Sequence, residues 1–203
     1  MRIDPENRAL QGLTGFLSFV ALNIIYLALC VPLVTIGAAT SALFEVMLRF
    51  SDDERGRPLK DFFPAFGRSF GRATLVSLCL LPPAVLLAFS AAFWFSSDSI
   101  LASAAAVIAV LGAVYLFAAF LYGMALVARF HNSVRQTLKN ALLLPAAEPV
   151  RTLGILLFPL TAICLTILFP PFAFLLLTIG FTVGAYASAF LFRSVFARHQ
   201  PEA

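Results

Sequence analysis

Long apolar runs separated by short connections dominate the chain, and six can be marked: Leu13 to Val31, Leu33 to Phe50, Ala73 to Phe95, Ile100 to Ala128, Thr152 to Phe169, and Phe172 to Phe192. At a rise of about 1.5 Å per residue, about 20 apolar residues cross a hydrocarbon core of about 30 Å, so the last four runs are predicted spanning helices. Leu13 to Phe50 as one helix would be nearly twice the length a bilayer requires, and Pro32 with Gly37 supplies a break in its middle. The second of these two segments carries Glu45 and Arg49 near its charged end, where long side chains reach the interface. A short interfacial or re-entrant helix is the alternative for this segment, which leaves five crossings instead of six.

Pro170 and Pro171 separate the last two runs with no polar loop, and a proline pair does not readily continue a helix. The break at Ser96 to Ser99 is equally short, with Trp94 beside it at the depth of an aromatic belt. Both connections predict antiparallel hairpins. Neither holds a Lys or Arg, whereas Arg49, Arg55, Arg57, Lys60, Arg68 and Arg72 surround the first large loop. Arg129, Arg135, Lys139 and Arg151 surround the second, and Arg193 and Arg198 lie in the tail. Cations are retained on the cytoplasmic side, which puts both loops and the C-terminus there. With six spans Arg2 and Arg8 join them; with five, the N-terminus lies outside.

Both loops carry helical periodicity. In the first, Leu59, Phe62, Phe63, Phe66 and Phe70 recur at three- and four-residue intervals among Lys60, Asp61, Arg68 and Arg72. That pattern predicts an amphipathic interfacial helix, with Asp61 as N-cap and Pro64 in the first turn. In the second, Val134, Leu138, Ala141 and Leu142 share one face, and Arg135, Gln136, Lys139 and Asn140 another. These faces either anchor the loops to an anionic leaflet or dock a protein partner, and periodicity does not separate the two. Leu59-Lys60 matches Leu138-Lys139, and Arg72 matches Arg151, at one common offset. The match hints at a weak repeat of about 13–72 and 73–151, followed by a hairpin over 152–192.

Gly180, Gly184 and Ser188 place small residues along one stripe of the last span, a pattern of close helix contact within the monomer or in a homo-oligomer. Ala88 with Ala92, and Gly37 with Ser41, carry the same signal less specifically. Asn23 lies mid-span, where an amide facing lipid is costly, so it is predicted to turn inward and bond another helix.

Composition sharpens this picture. Hydrophobic residues make up 61% of the 203 residues, charged residues 12%, and mean hydropathy is +0.96. A soluble domain is about half apolar and a quarter charged, so one membrane domain over 1–203 is the economical reading, with the lipid bilayer as its first partner. Met1 to Gly12 mixes Arg2 and Arg8 with Asp4 and Glu6 and lacks the basic region and cleavage site of a signal peptide. The net charge of +4 comes from membrane-orienting cations and predicts no nucleic-acid partner. Cys30, Cys79 and Cys164 lie inside apolar runs and read as small buried side chains. His131 and His199 form no metal-ligand spacing, and there is no GxSxG elbow or phosphate-binding glycine loop. Asp52, Asp53 and Glu54 beside Arg55 and Arg57 read as a solvated turn. No cofactor and no catalytic residue is therefore predicted. Glu45 and Arg49 alone are ionisable within predicted spans, which weakens a pump or coupled-transporter reading.

The run "PLVTIGAATSALFEVMLRF" from Pro32 to Phe50, followed by "LKDFFPAFGRSFGRA" from Leu59 to Ala73, resembles the bacterial YesL family, a domain of unknown function. "SVRQTLKNALLL" from Ser133 to Leu144, before "RTLGILLFPL", is similar to the family's second half. Ala38 departs from the proline common there. The resemblance implies a plasma-membrane protein that is an accessory or assembly partner of a carbohydrate ABC-type importer; it supplies no catalytic residues. The expectation is an all-α polytopic bundle of six, alternatively five, spans with two cytoplasmic amphipathic helices. Its leading role is that of a non-enzymatic partner, with an autonomous small-solute transporter or channel as the alternative. The proposed docking faces carry Leu59, Phe62, Phe63, Phe66, Arg68, Phe70 and Arg72, and Val134, Arg135, Leu138 and Lys139.

Overall fold

The computed structural model describes residues 5–52 and 58–199, with side chains for 13–52 and 58–198. Arg2, Asp4, Asp53, Glu54, Arg55 and Arg57 lie outside the described residues, as do the side chains of Glu6, Arg8 and His199. Every described element is helical: α1 (Pro5–Cys30), α2 (Ile36–Asp52), α3 (Pro58–Phe95), α4 (Ile100–Arg129), α5 (Val134–Ala147), α6 (Pro149–Leu168), α7 (Phe172–Leu175) and α8 (Phe181–His199). A 3-10 turn (Leu33–Thr35) joins α1 to α2, and a π-helical turn (Leu176–Gly180) carries α7 into α8. Six helices are long and apolar enough to cross a membrane, the last being Phe172–Arg198 as one unit. The chain is thus a multi-pass, all-α membrane protein.

The chain turns at Pro32, where the Thr35 hydroxyl donates to the carbonyls of Leu29 and Pro32 and so covers groups the helix end leaves bare. Helix α2 then runs through the middle of the bundle. Every residue from Gly37 to Leu48 is buried, against α1, α3, α4 and α8. A helix covered on all sides needs no amphipathic stripe, and the small residues Gly37 to Ala42 let neighbours approach its backbone. This segment is therefore a central helix and not the peripheral interfacial one its length allowed.

Helix α3 organises the rest. A Cβ on Gly37 would lie 2.4 Å from Ser77 Cβ and 2.6 Å from the Ala73 carbonyl oxygen, so α2 and α3 meet almost backbone to backbone. On its other side, Gly123 of α4 faces Val76 and Leu80, and Gly112 faces Leu87. These pairs make α3 antiparallel to α4, and Gly37 against Ser77 with Glu45 against Arg68 makes it antiparallel to α2. At 38 residues, α3 is about 57 Å long, far beyond a hydrocarbon core of about 30 Å. The amphipathic segment around Phe62 is thus not a separate interfacial helix but the first part of α3. Asp61 sits inside its first turn instead of capping it, because the helix begins at Pro58, whose missing N–H costs nothing there. Phe62 and Phe63 are adjacent and so point about 100° apart. Accordingly Phe62 is fully buried with Ala65 and Ser69, Phe63 and Phe70 face outward, and Leu59 and Phe66 are half-buried.

The second patterned segment is a separate helix, α5. Ser133 caps it by accepting from the Gln136 amide at 3.3 Å. Thr137, Ala141, Leu144 and Pro145 form its buried face, while Arg135, Lys139 and Leu142 are exposed and Val134 and Leu138 half-buried. Glu148 then breaks the helix, and Pro149 opens α6. The two units related by the common offset therefore differ: in the first the patterned segment fuses with the next span, and in the second a break divides them.

Lipid as solvent also changes what exposure means. Cys79 and Cys164 are exposed and Cys30 half-buried, a correction to the expectation of buried thiols. A small, weakly polar thiol facing acyl chains loses little there, so the apolar run around it does not force it inward.

Candidate functional site

Because α3 and α4 pair from Leu87/Gly112 to Val76/Gly123, the chain of α4 ends at Arg129 while α3 still has more than ten residues to run. The second half of α2 covers that overhanging part of α3. The space left beyond the end of α4 is a recess of about 260 Å³, lined by Glu45, Arg49, Arg68, Arg72, Arg129 and His131, with Ser69 and the α4 end behind them.

Glu45 is the centre of this cluster. Its side chain is only 11% exposed, and its Oε1 accepts from Arg49 at 2.6 Å and from Arg68 at 2.7 Å, both of which are more than half exposed. Arg49 reaches it along the same helix, four residues on. Arg68 comes from the antiparallel neighbour. Arg72 extends past the end of α4 and donates to the carbonyls of Phe130 at 3.4 Å and Asn132 at 3.3 Å. A cation there also meets the negative end of the α4 dipole. Beside the recess, Arg193 binds Asp52 at 2.6 Å and the Ser51 carbonyl at 2.7 Å, and Arg129 lies 3.5 Å from the other Asp52 oxygen. Four arginines against one carboxylate leave the recess walls a formal surplus of three positive charges from these side chains.

The candidate residues read from the sequence divide among several places. Arg68 and Arg72 line the recess instead of a lipid or partner face, because their side of α3 turns toward α2 and the α4 terminus. Lys139 and Arg135 stay on the outer face of α5. Asn23 spans two helices: its amide nitrogen donates to the carbonyls of Leu176 at 3.1 Å and Leu177 at 2.8 Å, and its oxygen accepts from the Thr182 amide at 3.1 Å. Those groups belong to the π-helical turn and the residues flanking it, where the regular i to i+4 ladder is interrupted. Along the small-residue stripe, Ser188 is buried, but a Cβ on Gly184 would meet nothing within 4 Å, and one on Gly180 would meet Leu176 of its own helical segment. The close backbone approach occurs at Gly37 instead. Gly180 and Gly184 line an apolar groove of about 310 Å³ between α6 and the last span.

The Glu45–Arg68 pair was the signal the sequence held without announcing it. Two helices joined by the short segment 53–57 must be antiparallel neighbours, and Glu45 and Arg68 lie at similar distances on either side of that connection. No comparable local signal brings Arg129 and His131 to the same place. Among the described residues, no three His, Cys, Asp or Glu side chains gather as a metal site.

No curated protein and no solved structure matches this chain. Residues 19–91, which hold Glu45, Arg49, Arg68 and Arg72 and both sequence blocks of the first half, match the family model described as "Protein of unknown function, DUF624".

Proposed function

We propose that this chain is a non-enzymatic bacterial plasma-membrane protein, an accessory or assembly partner of a carbohydrate ABC-type uptake system, with its arginine-rich end and C-terminus in the cytoplasm. The observation that carries this reading is the length and continuity of α3. Its overhanging first turns present Phe63, 55% exposed, and Phe70, 39% exposed, seven residues apart on one outward face of a helix anchored through Phe62, Ala65 and Ser69. A helix so anchored offers its anchors to a subunit's groove without first having to order itself. The resemblance to the YesL family supports the choice of partner, and the positive-inside bias supports the orientation.

The packed interior favours a partner over a solute carrier. Met47, Tyr122, Met124 and Phe192, all fully buried, fill the middle of the bundle, with Phe192 ringed edge-on by Phe44 and Tyr122 at centroid distances of 5.2 and 5.4 Å. Affinity purification from native membranes in mild detergent tests the proposal. Importer subunits should accompany the wild-type chain and be lost from Phe63→Asp/Phe70→Asp at equal expression. Recovery of the chain alone after crosslinking, or uptake of a sugar by liposomes holding only this protein, would refute it.

A further inference from the structure

The arginine recess has a chemistry that docking through Phe63 and Phe70 does not use. Among the described residues, its cations outnumber the carboxylates beside them. Glu45 offers Oε1 to two guanidinium groups at once, and Asp52, beside the recess, is shared between Arg193 at 2.6 Å and Arg129 at 3.5 Å. A guanidinium carries five N–H donors in a planar fork, and pairing with one carboxylate oxygen engages only part of that fork on Arg49 and on Arg68. Arg72 is spent on the α4 terminus and positions the wall, leaving Arg49, Arg68 and Arg129 to face the opening. The volume, about 260 Å³, is that of roughly nine waters at about 30 Å³ each, ample for one tetrahedral oxyanion with a small substituent.

We propose that this recess binds a phosphate group, as a phosphomonoester or phosphodiester, with Arg49, Arg68 and Arg129 as its ligands and Glu45 as the residue that splays the first two apart. Charge and shape both point this way: a surplus of three cations attracts an anion, and forks arranged about a concavity match tetrahedral oxygens better than a single planar carboxylate. The phosphate belongs either to an anionic lipid headgroup or to a soluble phosphate ester. Basic pockets between membrane helices take the former, and the opening toward the overhang of α3 admits the latter.

Calorimetric titration of the full chain, purified in a maltoside detergent, tests this with three probes: inorganic phosphate, short-chain phosphatidylglycerol and short-chain phosphatidylcholine. Saturable binding of inorganic phosphate, weakened about tenfold or more by Arg68→Gln, assigns the site to soluble phosphate. Binding of phosphatidylglycerol without inorganic phosphate or phosphatidylcholine, with the same weakening, assigns it to a headgroup. Arg129→Gln, whose carboxylate contact is the long one, provides a second variant that spares the Glu45 pairs. Lys139→Gln removes an equal charge from the outer face of α5 and should leave either affinity unchanged. Failure of both inorganic phosphate and phosphatidylglycerol to bind overturns the proposal, and so does weakening by Lys139→Gln equal to that by the folded arginine variants. Neither outcome bears on co-purification through Phe63 and Phe70, so the two readings fail separately.

Discussion

Glu45 is nearly buried while the two arginines that hold it are half in solvent, and this asymmetry sets what each substitution does. Removing either arginine leaves the carboxylate one strong partner; removing both strands a desolvated charge. Arg49→Gln and Arg68→Gln should each lower stability little, whereas the double variant should lose about 1–3 kcal/mol more than their sum. Glu45→Gln should cost less than the double variant, because it strands only solvated cations. Thermal unfolding of the four proteins in detergent measures the coupling, and strict additivity would remove Glu45 from the centre of the cluster. Asn23 makes a second residue-scale case. Asn23→Leu keeps the branched shape and the number of side-chain heavy atoms, though not the volume, and leaves the Leu176 and Leu177 carbonyls and the Thr182 amide without the partner that joins them to α1. The expected loss is about 2 kcal/mol, read as a lower unfolding midpoint.

Among the elements, the contact between α2 and α3 depends on an absent side chain. Gly37→Ala places a Cβ against Ser77 and the Ala73 carbonyl, and a backbone oxygen cannot swing aside as a side chain does. It should destabilise the bundle by about 1–3 kcal/mol, and Ser77→Gly should recover only part of the loss. Gly184→Ala enters open space and should be neutral or slightly stabilising. Unfolding midpoints of these three variants distinguish the glycine that packs from the one that lines a groove. Helix α3 also makes a metric prediction. Spin labels at 63 and 93, with Cys30, Cys79 and Cys164 replaced by alanine, should lie about 45 Å apart in one narrow distribution. A broad or much shorter distance would mean that the overhang bends away as an independent interfacial helix.

For the whole molecule, the arginines at the overhanging end of α3 and the bare connection at Ser96–Ser99 lie about 35 Å apart along that helix, counted from Arg72 to Phe95. Single cysteines at Gln136 and Ser97, in a chain without native cysteines, should therefore label from opposite faces of intact vesicles. Labelling of both from one face would contradict the crossing of α4. The bundle gains its one-sidedness from unequal helix lengths: α3 outruns α4, α2 covers the excess, and the polar recess forms where the third wall stops.

How much of this was legible follows from the range of the forces involved. The four long spans, the breaks at Pro32 and Pro170 and the inward need of Asn23 are written locally, because hydrophobic length, proline stereochemistry and the cost of a bare amide in lipid act on the segment itself; whether Leu33 to Phe50 made a sixth span was left to the packing of α2. Periodicity around Phe62 was legible as helix but not as part of α3, since no residue between Phe70 and Leu75 marks continuity or its loss. Small-residue spacing marked Gly180 and Gly184 more specifically than Gly37. Which of them meets a neighbour depends on how the helices are arranged, and the tertiary structure alone decided that. It likewise decided that Arg68, Arg72, Arg129 and His131 share one recess with Glu45, because a charge cluster assembled from four segments exists only once packing has fixed where each helix ends.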